Sequence, residues 1–259
     1  MVKPTTILSI AGSDNSSGAG IQADLKTAKD LNAYCLNAIS VITAQNSKKI
    51  VKTFNLPLKV IISQIKSLTK EYQIDGVKIG LVTNKFLANE IVKIFKQYKK
   101  IPVVIDPIYK SSTNKIFVNK NDYLYIHKKL SSLHPYFTPN HAEAKVLSMV
   151  KNNKSASLDE VIKSIQNKYK GTFVITGGDQ EGNYSIDHLI AGNKKFLFKS
   201  RKIKKYNTHG SGCCFSTALS VFLARGYSID SAVKKSKAFV REKIRSSPDF
   251  GLIYGPVIN

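Results

Sequence analysis

The 259-residue chain has no tryptophan, two methionines, three cysteines, and only seventeen acidic residues against forty lysines and arginines. Cys35, Cys213 and Cys214 show no Cys-x-x-Cys or Cys/His spacing, and adjacent cysteines rarely pair with each other, which excludes a disulfide framework. The five histidines, at 127, 134, 141, 188 and 209, lack ligand spacing as well, so no zinc site is expected. Such thiol usage fits a reducing cytosol, and a cytoplasmic location is the expectation. No apolar run approaches the roughly eighteen residues of a membrane span, and Ile7 to Ala11 is too short for a secretory core. Neither export nor membrane insertion is expected.

The shortage of acids leaves a formal charge of +23. That field attracts phosphorylated ligands, nucleic acid or an anionic surface. The lysines are spread through nearly every segment without an aromatic-interleaved basic motif, so a solvated surface explains them and nucleic acid is not the expected partner.

What the sequence does contain is alternation. Short β-branched runs (Thr5 to Ala11, Ala38 to Thr43, Val77 to Ile79, Val103 to Ile105, Phe173 to Thr176) are each followed by a longer segment of helical period. Ile21, Leu25, Ala28 and Leu31 form one apolar stripe; Phe215, Ala218, Leu219, Phe222 and Leu223 form another, with Gly226 as a stop. Strands alternating with helices predict an α/β fold with a mainly parallel sheet covered on both faces and ligands at the carboxyl edge. There is no internal repeat. Lys110 to Asn121 reads as a mobile flap and Lys151 to Ser157 as a surface loop, neither a linker, so residues 1–259 are expected to form one domain.

The strongest chemical signal is Asn207-Thr208-His209-Gly210-Ser211-Gly212-Cys213-Cys214, directly before the second apolar helix. Glycines separated by one residue let amide groups converge at a helix N-terminus, where they and the dipole favour an anion; a Gly-x-Gly by itself is more often a plain turn. Such a nest suits a phosphoryl group in transfer, which needs positioning and charge stabilisation. Cys213, read as the first helical residue, is expected to have its thiol lowered from about 8.5 toward neutrality and to polarise an attacking hydroxyl; the competing reading is a small packed hydrophobe. A second signal, Gly12-Ser13-Asp14 with Gly18, Gly20, Gln22 and Asp24, falls at the first strand-to-helix turn. Asp24 could accept hydrogen bonds from an aminopyrimidine, or simply be a first-turn acid beside the dipole. Gln45 after the second strand offers one donor and one acceptor. Asp106, and Asn140 with Glu143, follow strands and suit Mg²⁺ held through water, although Asn140 and Glu143 also read as a capping box.

In order along nearly the whole chain, these segments, together with Val77-Lys78-Ile79-Gly80, Thr138-Pro139-Asn140 and Gly177-Gly178, resemble the hydroxymethylpyrimidine/phosphomethylpyrimidine kinases of the ribokinase superfamily. The resemblance implies a three-layer α/β/α sandwich, usually a homodimer, that transfers the ATP γ-phosphate with Mg²⁺ to a hydroxymethylpyrimidine and then to its monophosphate, in thiamin biosynthesis. It implies a pyrimidine site at Gly12, Asp24, Gln45 and Ile108, and Cys213 in place of the superfamily's Asp base. It places an anion hole at Gly210, Ser211 and Gly212, the nucleotide at Asn140, Thr176, Gly178, Thr208, Gly210 and Gly212, and the metal at Asp106 and Glu143. On that basis Asp24→Ala is expected chiefly to raise KM for the pyrimidine.

Three departures carry their own expectations. Asn15-Ser16-Ser17 replaces a Pro and a Gly, which is expected to loosen the first turn. Thr176 stands where the family commonly has a phosphate-neutralising Lys, leaving Lys78, Lys110 or another Lys to compensate. Tyr109 in the flap is expected to alter the ring preference. A pyridoxal kinase on the same scaffold is the alternative enzyme; a flap cysteine to capture the aldehyde would favour it, and residues 106–123 contain none. A non-catalytic phosphate-ligand or nucleic-acid binding protein is the other alternative, marked by salt-dependent DNA retention without turnover.

Overall fold

Successive side chains of a strand face opposite sides of its sheet, so a run that is apolar at every position needs cover on both faces. In the computed structural model, which describes residues 3–98, 100–111, 113–150, 156–203, 205, 207–249 and 255–257, that cover is present. Val103 and Ile105 are buried in one apolar cluster and Val104 in another; Phe173 and Ile175 part from Val174 in the same way.

Among the described residues, nine strands form one sheet: β1 (Thr5–Asp14), β2 (Ala33–Gln45), β3 (Ile50–Asn55), β4 (Gly76–Ile79), β5 (Val103–Ile105), β6 (Tyr136–Phe137), β7 (Thr172–Ile175), β8 (Tyr184–Ala191) and β9 (Lys194–Arg201). Their order is β3-β2-β1-β4-β5-β6-β7-β8-β9. The run from β2 to β7 is parallel, while β3, β8 and β9 are antiparallel additions. The helices are α1 (Gly20–Asp30), α2 (Leu58–Glu71), α3 (Lys85–Phe95), α4 (Lys120–Leu130), α5 (His141–Ser148), α6 (Leu158–Lys168), α7 (Ser211–Ala224) and α8 (Ile229–Ser246). Buried residues of α2 to α6 join the larger cluster on one face, and α7 and α8 pack on the other, with α1 against α7. The expected α/β/α sandwich is the observed one.

Local chemistry sets many of the helix ends. Asn84 and Asn119 accept amide hydrogens at the starts of α3 and α4, and α5 and α6 open on complete capping boxes, Asn140 with Glu143 and Ser157 with Glu160. Gly226 lies just past α7 at φ 81°, as a stop should. The helix α7 begins at Ser211, so Cys213 is its third residue rather than its first. The hairpin of β8 and β9 was not anticipated: its signal was the two-residue Gly192-Asn193 loop, with Gly192 at φ 57°, but β9 is an edge strand whose lysine-rich positions are mostly exposed, a pattern unlike that of a core strand. The proposed loop at 151–157 lies outside the described residues as far as 155. No helix among the described residues is long and apolar enough to cross a membrane.

One core residue makes stability depend on pH. His127 is buried in α4 with Nδ1 2.8 Å from Tyr123 O, and burial depresses its pKa from 6.5 to about 4. The unfolded chain therefore binds the extra proton between those values, so stability is full above pH 6.5 and falls as pH drops through the window. Urea titrations from pH 7 to pH 4 are expected to show a loss of about 3 kcal/mol from this group, absent in His127→Gln.

Candidate active site

The carboxyl ends of β1, β2, β5, β6 and β7 and the start of α7 surround a cavity of about 250 Å³. Its wall includes Gly12, Asp14, Gln45, Asp106, Ile108, Asn140, Glu143, Thr176, Thr208, Gly210, Ser211, Gly212 and Cys213. A neighbouring cavity of about 310 Å³ runs between the β8–β9 hairpin and α8, and Gly178 lines that one alone. Asn140, Thr176, Thr208, Ser211 and Gly212 line both. The two spaces therefore adjoin along the N-terminus of α7.

That terminus is held against the first turn. Gly210, the residue before α7, has φ 84°, and a Cβ there would overlap the carbonyl oxygen of Gly18; a Cβ on Gly18 would overlap the ring of His209. Glycine at both positions allows the loops to meet. His209 Nε2 then donates to Asp14 Oδ2 at 2.9 Å, and Ala19 N donates to the same oxygen at 2.9 Å. Burial alone raises the Asp14 carboxyl, but hydrogen bonds from His209, Ser16 and Gln45 outweigh it and hold the group well below the usual carboxylate range. The substituted turn is hydrogen-bonded, although Ser17 takes a left-handed φ of 61°. Ser16 bonds Asp14 Oδ1 through both N and Oγ (2.8 and 2.7 Å), and Asn15 Oδ1 accepts from Gln45 N at 2.7 Å, tying β1 to β2.

Asp24 is corrected by the structure. It is fully buried, away from both cavities, with Lys78 Nζ at 2.9 and 2.8 Å from its two oxygens and with Ser9 and Thr217 hydroxyls donating at 2.5 and 2.7 Å. Lying one turn into α1, it points into the α1–α7 packing, not to the ligand edge. Lys78, equally buried, is spent in this pair and cannot reach a phosphate. Tyr109 is likewise turned away, its ring 4.8 Å from that of Tyr123 in the larger core, while Ile108, Lys110 and Phe117 face the cavity. Leu81 and Phe117 also line the wall and had no sequence signal, since each is an ordinary apolar residue brought there by its loop or flap; Thr138, part of the Thr138-Pro139-Asn140 marker, lines it too.

Cys213 lines the cavity as expected, but its thiol is not acidic. Burial, with the Asp106 and Asp24 charges added, pushes its pKa up to about 12, against a smaller lowering by Lys78. The dipole argument fails because desolvation in a closed pocket exceeds what a helix end supplies. Asp106 accepts hydrogen bonds from Ser216 Oγ (3.3 Å) and from the Cys213 thiol.

Glu143 serves two purposes. Its oxygens accept from Asn140 N at 3.0 Å, closing the capping box, and from Tyr109 N at 3.3 Å, anchoring the flap. Burial first, then the Asp106 charge, pushes its pKa up to about 8, while burial raises that of Asp106. Two carboxyl groups on one cavity form an oxygen-donor set that fits a hard divalent ion held through water. No cluster of three or more His, Cys, Asp or Glu that could grip a metal directly occurs among the described residues.

Known proteins share the sequence pattern and the fold. The phosphomethylpyrimidine kinase family model matches residues 14–258. The hydroxymethylpyrimidine/phosphomethylpyrimidine kinase of Aquifex aeolicus is 32% identical over 250 residues, covering 95% of this chain and 97% of its own. A solved phosphomethylpyrimidine kinase from Clostridium difficile aligns with TM-score 0.78 and 32% identity over 92% of this chain and 99% of that one. The pyridoxal kinase of Bacillus subtilis, solved as an ADP complex, aligns with TM-score 0.87 and 31% identity over 98% and 97% of the two chains.

Proposed function

Because the chain belongs to the phosphomethylpyrimidine kinase family, we propose that it transfers the γ-phosphate of ATP to the hydroxymethyl group of 4-amino-5-hydroxymethyl-2-methylpyrimidine, and then phosphorylates the resulting monophosphate. The observation that carries this reading is the pair of adjoining cavities with the α7 N-terminus in their common wall. One takes the pyrimidine, with Gln45 matching a ring that offers both a donor and an acceptor, and with Gly12 and Ile108 packing against it. The other takes the nucleotide at Asn140, Thr176, Gly178 and Thr208. The phosphoryl group crosses at the Gly210-Ser211-Gly212 turn that opens α7, where the helix N-terminus favours negative charge, although the Ser211 amide itself is taken by Thr208 O at 3.1 Å.

Asp106 and Glu143 would hold Mg²⁺ through water, and the ion supplies positive charge to the phosphate oxygens. Cys213 is protonated near neutrality, so it meets the substrate hydroxyl as a hydrogen-bonding thiol. As the oxygen attacks, its proton passes to Sγ while the thiol proton passes to Asp106, and no free thiolate is required. The reading includes a homodimer in the cytoplasm. Ile42 and Phe54, paired across β2 and β3 and both exposed, offer an apolar contact for a second copy, and the described cysteines are all free thiols.

The likeness to pyridoxal kinase in three dimensions keeps a second substrate in view. Coupled assays with hydroxymethylpyrimidine, its monophosphate and pyridoxal test the choice side by side. The expected result is ADP release with the first two, the alcohol yielding a second equivalent as its monophosphate is consumed. Turnover of pyridoxal alone would move the protein to the alternative, and DNA retention without turnover to the non-catalytic one.

A further inference from the structure

The two acceptors make opposite demands on the cavity proposed for the pyrimidine. The alcohol must lose a proton as its oxygen attacks, and it brings no charge. The monophosphate, whose second pKa is about 6, is largely a dianion at neutral pH. One of its oxygens bonds to the γ-phosphorus while the bond from that phosphorus to the bridging oxygen breaks and ADP departs, so no proton has to leave. Two negative charges must instead be held close to a triphosphate. The second step therefore needs a cation that the first does not.

The wall of that cavity is short of cations. It carries three carboxyl groups, Asp14, Asp106 and Glu143, and among the described residues Lys110 is the one lysine or arginine in it. His209, also in the wall, is joined to Asp14, and Lys78 is sealed in its pair with Asp24. Lys110 does not line the neighbouring cavity, so its charge belongs with the acceptor rather than with the nucleotide.

The flap fixes where Lys110 starts from and leaves its ammonium uncommitted. On one side Tyr109 is anchored through its amide to Glu143 and through its ring to Tyr123. On the other, Ser111 N donates to Lys115 O at 2.9 Å, Lys115 N donates to Ser111 Oγ at 3.0 Å, and Lys110 bridges to Ile116. Lys110 itself is exposed and takes part in none of the ion pairs among the described residues. Its flexible stem can thus bring the charge in from solvent when the acceptor is longer by one phosphate.

On the reading that the chain phosphorylates both compounds, we infer that Lys110 is a specificity-determining residue that binds the phosphate of the monophosphate in the second step. The test is steady-state kinetics with each acceptor separately at saturating ATP. Lys110→Met is expected to raise KM for the monophosphate by about 10- to 100-fold, the size of one hydrogen bond between charged groups, and to change KM for the alcohol far less. Lys110→Arg should recover part of the loss. Added KCl should raise KM for the monophosphate more steeply in the wild type than in Lys110→Met, because the salt screens the attraction that the variant has already lost. Equal rises for both acceptors, as a merely structural role in the flap would give, overturn the inference, and so does an unchanged KM for the monophosphate. A wild-type protein that phosphorylates the alcohol alone overturns it too, while leaving the first step of the reading in place. Turnover of neither compound overturns the kinase reading beneath it as well.

Discussion

Cys213→Ala is expected to lower kcat by about 10²- to 10⁴-fold, the usual span for a group that moves a proton in the transition state, with KM for ATP unchanged. The thiol lines the cavity proposed for the pyrimidine and bonds Asp106, whereas the cavity proposed for the nucleotide does not include it. Loss should therefore fall on the chemical step. With the thiol pKa pushed up to about 12, alkylation of Cys213 near neutral pH is expected to be slow as well, which distinguishes a protonated relay from a standing thiolate. An unchanged kcat in steady-state assays would remove Cys213 from proton transfer; rapid alkylation would restore the thiolate reading.

Asp24→Ala is expected to cost about 3–5 kcal/mol of stability, because it strands the Lys78 ammonium in the core and deprives Ser9 and Thr217 of their acceptor. Chemical denaturation of the purified variant measures it. Removing both charges as Asp24→Leu with Lys78→Met should recover much of that loss, since the desolvation of the two ions disappears together. This replaces the expectation of a selective rise in KM for the pyrimidine. A stable Asp24→Ala protein with only its pyrimidine KM raised would return the carboxylate to the ligand site.

The difference between these two residues shows which parts of the site were legible. Gly210-Ser211-Gly212 could be read from the chain as the turn into a helix, because a Gly-x-Gly before a helical stripe has few local conformations, although α7 begins at Ser211, two residues before the Cys213 start that the pattern suggested. Asn140 and Glu143 were legible for the same local reason: a capping box needs only four consecutive residues. The same motif both caps α5 and lines the cavity, so its two readings never competed. The environment of Asp24 was not legible, since its partner Lys78 is 54 positions away and Thr217 is 193. Nor was Tyr109, whose direction depends on Tyr123 across the flap. The ion pair of Lys237 on α8 with Asp187 on β8 was hidden for the same reason, its partners being 50 residues apart.

By itself the sequence determined the alternation of strands and helices, the parallel centre of the sheet, and the edge along which ligands must lie. Those follow from side-chain period and turn chemistry, which act over a few residues. Only the tertiary structure decided which charged groups were sealed in and which faced the cavities. Desolvation and Coulomb energies depend on distance in space, so a carboxylate such as Asp24 and a thiol such as Cys213 acquire their character from neighbours supplied by other strands and helices.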